Sequence, residues 1–456
     1  MALHRAGRAT GEAAVRRGPL LVVCAVVLGG VGAAVTLRPA RNPAAYPGEG
    51  ATTAQSTALY CTGLSGGAHR PGRVTFVNTA AASRALEIEV VSDTGHVATR
   101  SVTLAARTQY SLQPSTLESG TFYAVLTRVA GGGVVAEEVA GTDAAAAPCA
   151  SAGTTSWSAT GFSTAVGSSA YVSVFNPTAT AAVFDVSVYS ATGFSAPQAF
   201  QGVSVPAHAE VYLDLARVAV NARQVGVGLR VLRGTLVVVG VQDSAGTLSL
   251  NAGQAAPATR SYFPAVTTAH RASAVLEVAN PGPNPAEVTV HVVLGAYAIA
   301  DQYVSVAPYS TGALALTPNP AIPAAGYAAV SVRSSVPVVT DLATGTAGVG
   351  SALSAPSPTT TSALVHDFTS KGYDALRVLN PSRRAITVTV SALGSSRALA
   401  HLRVEGHGVG DLALAVPAMR SGPGTYLVAS PGRFALGLTL PSRPAGIAVL
   451  AALDGR

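Results

Sequence analysis

Three residues near the end of the chain belong to types that bind metal ions: His401, Glu405 and His407. Alternate side chains of a strand share one face, so these three would lie on the same side of it. At about 3.3 Å per residue they would spread over up to ~20 Å, too far to meet on one ion without a sharp bend. Gly406 and Gly408 flank His407 and favour a turn. We therefore expect solvated histidines and no metal site.

No segment has the spacing of a nucleophile elbow, a phosphate-binding P-loop, an HExxH zinc motif or a CxxC pair. The glycine-rich stretch 345–350 follows a predicted hairpin and opens no helix. Glu137 and Glu138 would point to opposite faces of a strand, and no other acidic pair has the pattern of a glycosidase acid–base couple. We predict that the protein is not an enzyme and uses no cofactor. An enzyme with an unrecognised site is a further alternative.

The cysteines indicate a structural bond. Cys61 and Cys149 bracket one stretch of about ninety residues, and an even pair in an exported chain predicts a disulfide. Closing a loop of this length can contribute on the order of 4 kcal/mol. The third cysteine, Cys24, lies in the N-terminal apolar segment, where it is interpreted as a small apolar residue.

Self-comparison shows four similar stretches, each a short alternating run that ends in an asparagine, a turn, and a second alternating run. The asparagines are Asn78, Asn176, Asn280 and Asn380, at spacings of 98, 104 and 100 residues. Alternation puts one face of a strand on a core, and asparagine followed by proline ends a strand. Further strand-like runs follow each pair, giving about seven short strands per hundred residues.

This pattern predicts an all-β chain of tandem immunoglobulin-like β-sandwiches. A β-propeller is the alternative, although its blades usually repeat every 40 to 50 residues or so. Trp157, Tyr262 and Phe263 precede the asparagine strands at equivalent repeat positions, which favours core packing over a sugar-stacking platform. The stretch 351–362, rich in Ser, Thr and Pro, is interpreted as a linker.

Residues 18–37 are uncharged and mostly apolar, long enough to cross a bilayer as one helix. Four arginines precede them and two follow, so the positive-inside bias keeps residues 1–17 in the cytoplasm and exports the rest. We predict a single-pass membrane anchor with an extracytoplasmic C-terminal region. Cleavage as a signal peptide, giving a secreted protein, is the alternative.

The excess positive charge of the chain lies around the N-terminal apolar segment, where it sets membrane topology, and does not indicate a charged ligand. The net charge is +7, but beyond Arg41 the count is 23 basic against 21 acidic residues. A near-neutral exported region has no basic stripe for phosphate backbones, so no nucleic-acid partner is expected. The predicted boundaries are 1–17 cytoplasmic, 18–37 anchor, 38–57 linker, and four sandwich repeats at 58–150, 151–256, 257–356 and 357–456.

The anchor, the Asn-Pro strand ends, the Val-Pro-Ala turns and the Pro-Val-Val hairpins together resemble an uncharacterised actinobacterial family of secreted or membrane-anchored proteins. That resemblance implies an envelope location and transfers no functional residues. We expect a non-catalytic extracytoplasmic envelope protein that acts as a structural spacer or protein-interaction module. A cell-wall glycan-binding protein is the alternative, so the expected partners are the membrane, through the N-terminal helix, and an envelope protein or wall glycan.

Overall fold

The computed structural model describes residues 57–67, 71–140, 145–269, 272–295, 297–324, 326–346, 351–366, 375–413, 425–439 and 451–452. These residues form 32 strands and three 3-10 turns, Pro114–Thr116, Gln198–Phe200 and Leu215–Arg217, so the fold is all-β. In this described part there is no helix long and apolar enough to cross a bilayer. The predicted cytoplasmic stretch 1–17, the anchor 18–37 and nearly all of the linker 38–57 lie outside the described residues.

We divide the chain at the repeat boundaries into segment 1 (58–150), segment 2 (151–256), segment 3 (257–356) and segment 4 (357–456). Segment 1 contains the strands β1 (Ala58–Ser65), β2 (Arg73–Asn78), β3 (Arg84–Ser92), β4 (Val97–Leu104), β5 (Gln109–Leu112), β6 (Phe122–Val129), β7 (Val134–Ala140) and β8 (Ala145–Pro148). Segment 2 contains β9 (Ser156–Phe162), β10 (Ser168–Phe175), β11 (Ala182–Ser190), β12 (Gly193–Ser195), β13 (Val203–Val205), β14 (Glu210–Asp214), β15 (Val225–Arg233), β16 (Val237–Ser244) and β17 (Thr247–Asn251).

Segment 3 contains β18 (Ala258–Thr267), β19 (Ala272–Asn280), β20 (Ala286–Leu294), β21 (Tyr297–Ala298), β22 (Gln302–Val306), β23 (Ser310–Thr317), β24 (Tyr327–Thr346) and β25 (Ser351–Ser354). Segment 4 contains β26 (Thr360–His366), β27 (Ala375–Leu379), β28 (Ile386–Ala392), β29 (Ala398–Val404), β30 (Val409–Ala413), β31 (Thr425–Thr439) and β32 (Ala451–Ala452). The predicted linker 351–362 is wrong at both ends, because Ser351–Ser354 pairs antiparallel with β24 and residues 360–362 begin β26, which pairs antiparallel with β31.

Strand order follows one scheme. In segment 1 a first sheet has the order β1-β6-β3-β4, and a second sheet, which holds the asparagine strand, has the order β5-β2-β7-β8. Segment 2 pairs its strands in the corresponding orders, β9-β15-β11-β12 and β14-β10-β16-β17. In segments 3 and 4 the long strands β24 and β31 pass from the first sheet into the second, which joins the two sheets.

Each segment has its own apolar core, supplied by both of its sheets. In segment 1, for example, Leu59 and Ile88 of the first sheet pack in one cluster with Val74 and Phe76 of the second. Equivalent clusters fill segments 2, 3 and 4. The strict alternation of β11, whose inward residues are buried and whose outward residues are partly exposed, shows why period-two sequence patterns build these layers.

We call Asn78, Asn176, Asn280 and Asn380 the anchor asparagines. Each of them ends a strand, and its side chain closes the turn that follows. The Asn280 side-chain amide donates to the carbonyl oxygens of Asn284 (2.8 Å), Val306 (3.2 Å) and Ala307 (3.1 Å). Its carbonyl oxygen accepts from the Gly282 amide at 3.0 Å. The equivalent bonds occur at Asn78, Asn176 and Asn380, all fully buried.

The outer face of each second sheet packs on the first sheet of the preceding segment. Phe175 and Val237 of segment 2 lie in an apolar cluster with Ala124 and Leu126 of segment 1. At the next junction the Ala279 side chain approaches Gly226 so closely that a Cβ at position 226 would lie 2.9 Å from it.

The same packing continues to segment 4 and then returns to the beginning. Leu379 and Ala435 of segment 4 pack with Ala329 of segment 3. The second sheet of segment 1 packs through Val77 and Val135 on Leu364 of segment 4. The four junctions therefore form a closed series, and all described residues belong to one compact unit, 44–456.

Candidate functional site

The residue three positions before each anchor asparagine lies on the junction face of the second sheet, because alternate residues of a strand share a face. These residues are Thr75, Ser173, Glu277 and Arg377, and all four are buried. Ser173, Glu277 and Arg377 each lie beside a polar or charged side chain at a junction. We therefore take the junction side chains as the candidate functional site.

Between segments 1 and 2, Glu210 is enclosed by hydrogen-bond donors. Its Oε1 atom accepts from the Ser173 hydroxyl (2.8 Å), the Tyr212 hydroxyl (2.9 Å) and the Gly63 amide (3.2 Å). The Thr62 hydroxyl donates to the same oxygen. Burial raises the pKa of Glu210 to about 7, although these four hydrogen bonds act in the opposite direction.

Glu138 lies beside the same group of residues. It is fully buried, and its Oε2 atom accepts from the Thr62 amide at 2.7 Å. Burial raises its pKa well above the usual range; the Thr62 bond lowers it, and the Glu210 charge raises it. One Glu138 oxygen lies within 4.8 Å of the sulfurs of Cys61 and Cys149.

Those sulfurs form a disulfide of 2.10 Å that links β1 to the residue after β8. They therefore have no thiolate to offer a metal ion. Apart from these three residues, the described part of the chain contains no group of three or more His, Cys, Asp or Glu side chains within metal-binding distance.

Between segments 2 and 3, two carboxyl groups meet on adjacent strands. Glu277 and Asp341 are cross-strand partners, and the Thr160 amide of segment 2 donates to Asp341 Oδ2 at 2.6 Å. Burial raises the pKa of Glu277 to about 8. Burial also raises the pKa of Asp341 well above its usual range, against the hydrogen bond from the Thr160 amide, which lowers it.

The junction between segments 3 and 4 contains a buried arginine, Arg377, in place of a carboxyl group. The Arg377 guanidinium lies 4.2 Å from the centroid of the Tyr327 ring, and its Nη1 atom lies 2.5 Å from Asp411 Oδ1. Stacking on a ring and pairing with a carboxylate offset part of the desolvation cost of burying an arginine. Each of these three junctions thus has a different polar composition.

Glu137, on the remaining junction face, is also buried. Burial raises its pKa well above the usual range, and the charge of Arg73 acts in the opposite direction. Sequence reasoning placed Glu137 and Glu138 on opposite faces, but it missed the approach of Glu138 to Glu210 and of Glu277 to Asp341. The common offset from the anchor asparagines could have found Glu277, but it does not apply to Glu138, Glu210 or Asp341.

The residues singled out for metal binding have separate surroundings. His401 is exposed on β29, with Nδ1 3.2 Å from the Thr389 hydroxyl, whereas Glu405 accepts from Arg403 Nε at 2.9 Å. His407 lies in the following turn with φ 55°. Trp157 and Phe263 are fully buried, and the Trp157 indole donates to the Ala252 carbonyl at 2.7 Å.

An exposed aromatic cluster lies at the junction between segments 2 and 3. Phe194 of segment 2 is 51% exposed and Tyr309 of segment 3 is 43% exposed. Their ring centroids are 6.1 Å apart, and the Tyr189 ring lies 5.7 Å from that of Phe194. These rings form an accessible apolar surface.

Comparison with known proteins shows one matching protein family. A family model described as "Family of unknown function (DUF5719)" matches residues 133–405. A crystal structure of Thermotoga maritima 1070 is 20% identical, with 20% of this chain and 82% of that chain covered and a TM-score of 0.19.

A tetra-tandem repeat in the extending region of a large adhesion protein is 14% identical, with 85% of this chain and 96% of that chain covered and a TM-score of 0.13. At such TM-scores neither likeness carries an argument. No relative among the curated proteins matches.

Proposed function

Because the chain belongs to the DUF5719 family of unknown function, we propose its role from its own geometry. In this proposal the protein is a non-catalytic extracytoplasmic envelope protein. Its segments are tandem immunoglobulin-like sandwiches held together as one scaffold. The scaffold acts as a spacer or protein-interaction module, and residues 18–37 anchor it to the membrane or are removed on secretion.

The closed series of buried junctions is the observation that supports this role. Independent modules on flexible linkers would leave the junction faces in water, whereas Phe175, Val77 and Leu364 are all almost fully buried between segments. Burying such side chains contributes roughly 1.5–3 kcal/mol each. The junction carboxyl groups also serve packing, because Glu138 and Asp341 are fully buried and Glu210 is 8% exposed.

The aromatic cluster of Tyr189, Phe194 and Tyr309 supplies the contact surface in this proposal. Exposed aromatic rings are enriched at protein interfaces, where they bury large apolar areas. The same rings favour the second candidate function, binding of a cell-wall glycan, because sugar rings stack on exposed aromatic faces.

The test is a pull-down of the full chain from detergent-solubilised envelope. Wild type should recover a defined protein partner, and the double variant Phe194→Ser/Tyr309→Ser should lose it. The matched control is Tyr303→Ser, because Tyr303 is 70% exposed and lies outside the cluster. If only the bait is recovered in every case, the protein-interaction role is wrong. If wild type is retained on purified wall glycan and the double variant is not, the second candidate function is favoured.

A further inference from the structure

Each segment has a non-glycine residue with positive φ in the turn before the edge strand of its second sheet. These residues are Arg107, His208, Tyr309 and His407, with φ of 57°, 52°, 53° and 55°. Such backbone conformations are uncommon for residues other than glycine. Their recurrence at one turn indicates that the geometry is needed there.

Three of these residues meet a partner on the preceding segment of the closed series. Arg107 lies against Gly394 of segment 4, where any Cβ would collide with its guanidinium. His208 Nδ1 lies 3.8 Å from Glu89 Oε1, and Tyr309 contacts the Phe194 ring. The turn therefore aims its residue at the neighbouring first sheet.

The fourth residue, His407, lines a cleft that is rich in basic groups. Arg260, Arg333 and His291 of segment 3 line the same cleft of about 40 Å³. Arg260 and Arg333 are directly opposite each other on β18 and β24. Like charges at such cross-strand positions are destabilising. Within the described residues neither arginine makes an ion pair.

Segment 1 shows how equivalent positions are neutralised. There Arg128 is the cross-strand partner of Glu87, just as Arg333 is the partner of Thr289. Arg128 Nη1 lies 3.8 Å from Glu87 Oε2 and 3.6 Å from Glu89 Oε2. Glu89 also faces His208 from the next segment. Two carboxylates thus lie beside one arginine and one histidine.

Segment 3 lacks both carboxylates. Counted from the anchor asparagines, Thr289 replaces Glu87 and His291 replaces Glu89. The acid seen beside the cleft is Asp301, and its Oδ1 atom lies 2.8 Å from His291 Nδ1. Arg260, Arg333 and His407 therefore face a space where segment 1 has negative charge.

We propose that this cleft between segments 3 and 4 binds an oxyanion, a phosphate or sulfate group, in place of the missing carboxylates. The planar guanidinium groups present paired N–H donors that match such oxygens, and the imidazoles add further donors. The volume is about three times the roughly 10–15 Å³ that one water needs, so it suits a single charged group and not a sugar ring. This site is independent of the proposed scaffold role.

The test is isothermal titration of the full chain with inorganic phosphate in a low-salt buffer. Wild type should bind saturably, and Arg333→Gln should bind at least tenfold more weakly. The double variant Thr289→Glu/His291→Glu, which restores the charges of segment 1, should abolish binding. Arg128→Gln is the control and should leave binding unchanged, because Arg128 already has carboxylate partners.

Absent binding by wild type, or equal affinity in Arg333→Gln, would overturn the proposal. Arg333 and Arg128 are exposed, and Thr289 and His291 are half-buried, so circular dichroism should show the same fold in all variants. A second titration with a poly(glycerol phosphate) oligomer identifies the source of the anion. Tighter binding per phosphate group than for the free ion indicates an anionic polymer, and equal binding indicates free phosphate; both results require the same site.

Discussion

Glu277 illustrates how burial controls charge at the junctions. It is 6% exposed on the face of β19 that packs on segment 2, and burial raises its pKa to about 8 from 4.5. Loss of hydration penalises the ionised form, so the folded protein holds a proton that the unfolded chain releases. The same reasoning applies to Glu210, because burial raises its pKa to about 7.

The sign of the pH effect follows from this shift. A carboxyl group whose pKa is raised by folding adds stability that is complete below about pH 4.5 and is lost as the pH rises through about 8. Glu277→Gln keeps the shape of the side chain and removes the titration. We therefore expect wild type to lose stability relative to this variant between these two values, by a few kcal/mol at most.

Urea unfolding of both proteins at a series of pH values measures the difference directly. Glu287→Gln serves as the control, because Glu287 is exposed on β20 of the same segment. If the free energy of unfolding changes with pH in the same way for wild type and Glu277→Gln, protonation of Glu277 does not contribute to stability.

At the scale of the elements, β9 shows how closely two sheets approach. Gly161 has φ 77°, and a Cβ there would lie 2.7 Å from Glu277 Cγ and 3.0 Å from Leu353 Cδ2. Glycine at this position serves both the backbone conformation and the junction. The absence of a side chain at this position therefore lets Glu277 and Leu353 of segment 3 approach β9 closely.

Gly161→Ala should destabilise the protein by about 2–5 kcal/mol, since left-handed strain of about 1–2 kcal/mol adds to overpacking of about 1–3 kcal/mol. Gly167 has φ 82°, but no atom lies within 4 Å of the position that a Cβ would occupy, so Gly167→Ala should carry the backbone strain alone. Thermal or urea unfolding compares the two. Equal losses for both variants would mean that the junction tolerates the extra methyl group.

For the whole molecule, the contact of segment 1 with segment 4 is the decisive feature. Leu364 is 1% exposed and packs with Val77 and Val135 of the second sheet of segment 1. Without this contact, that sheet would expose its junction face to water. The first and last segments are thus expected to stabilise each other.

Leu364→Ala should cost about 2–5 kcal/mol by leaving a cavity at this contact. Hydrogen exchange should then accelerate in β2 and β7 of segment 1 as well as in segment 4. Leu316→Ala, in the core of segment 3, is a control of the same chemistry at a different place. Unchanged protection of β2 and β7 in Leu364→Ala would show that segment 1 is stable without segment 4.

The amino-acid sequence alone determined the local structure of this protein. Period-two alternation predicted the strands, and the four asparagines marked equivalent turns, because strand faces and turn hydrogen bonds depend on neighbouring residues. Part of the linker prediction was wrong for a non-local reason: Leu353 is the one large apolar residue of Ser351–Ser354, yet β24 supplies a pairing edge for this segment and Leu353 packs in the apolar cluster of segment 2.

Only the tertiary structure decided how the segments meet. The approach of Glu138 to Glu210, and the basic cleft around Arg333, join residues that are tens to more than a hundred positions apart in the chain. Alternation shows that a strand has two faces, but it does not show which surface covers the second one. That choice depends on the shape and charge of another segment, and so it lies outside any local pattern.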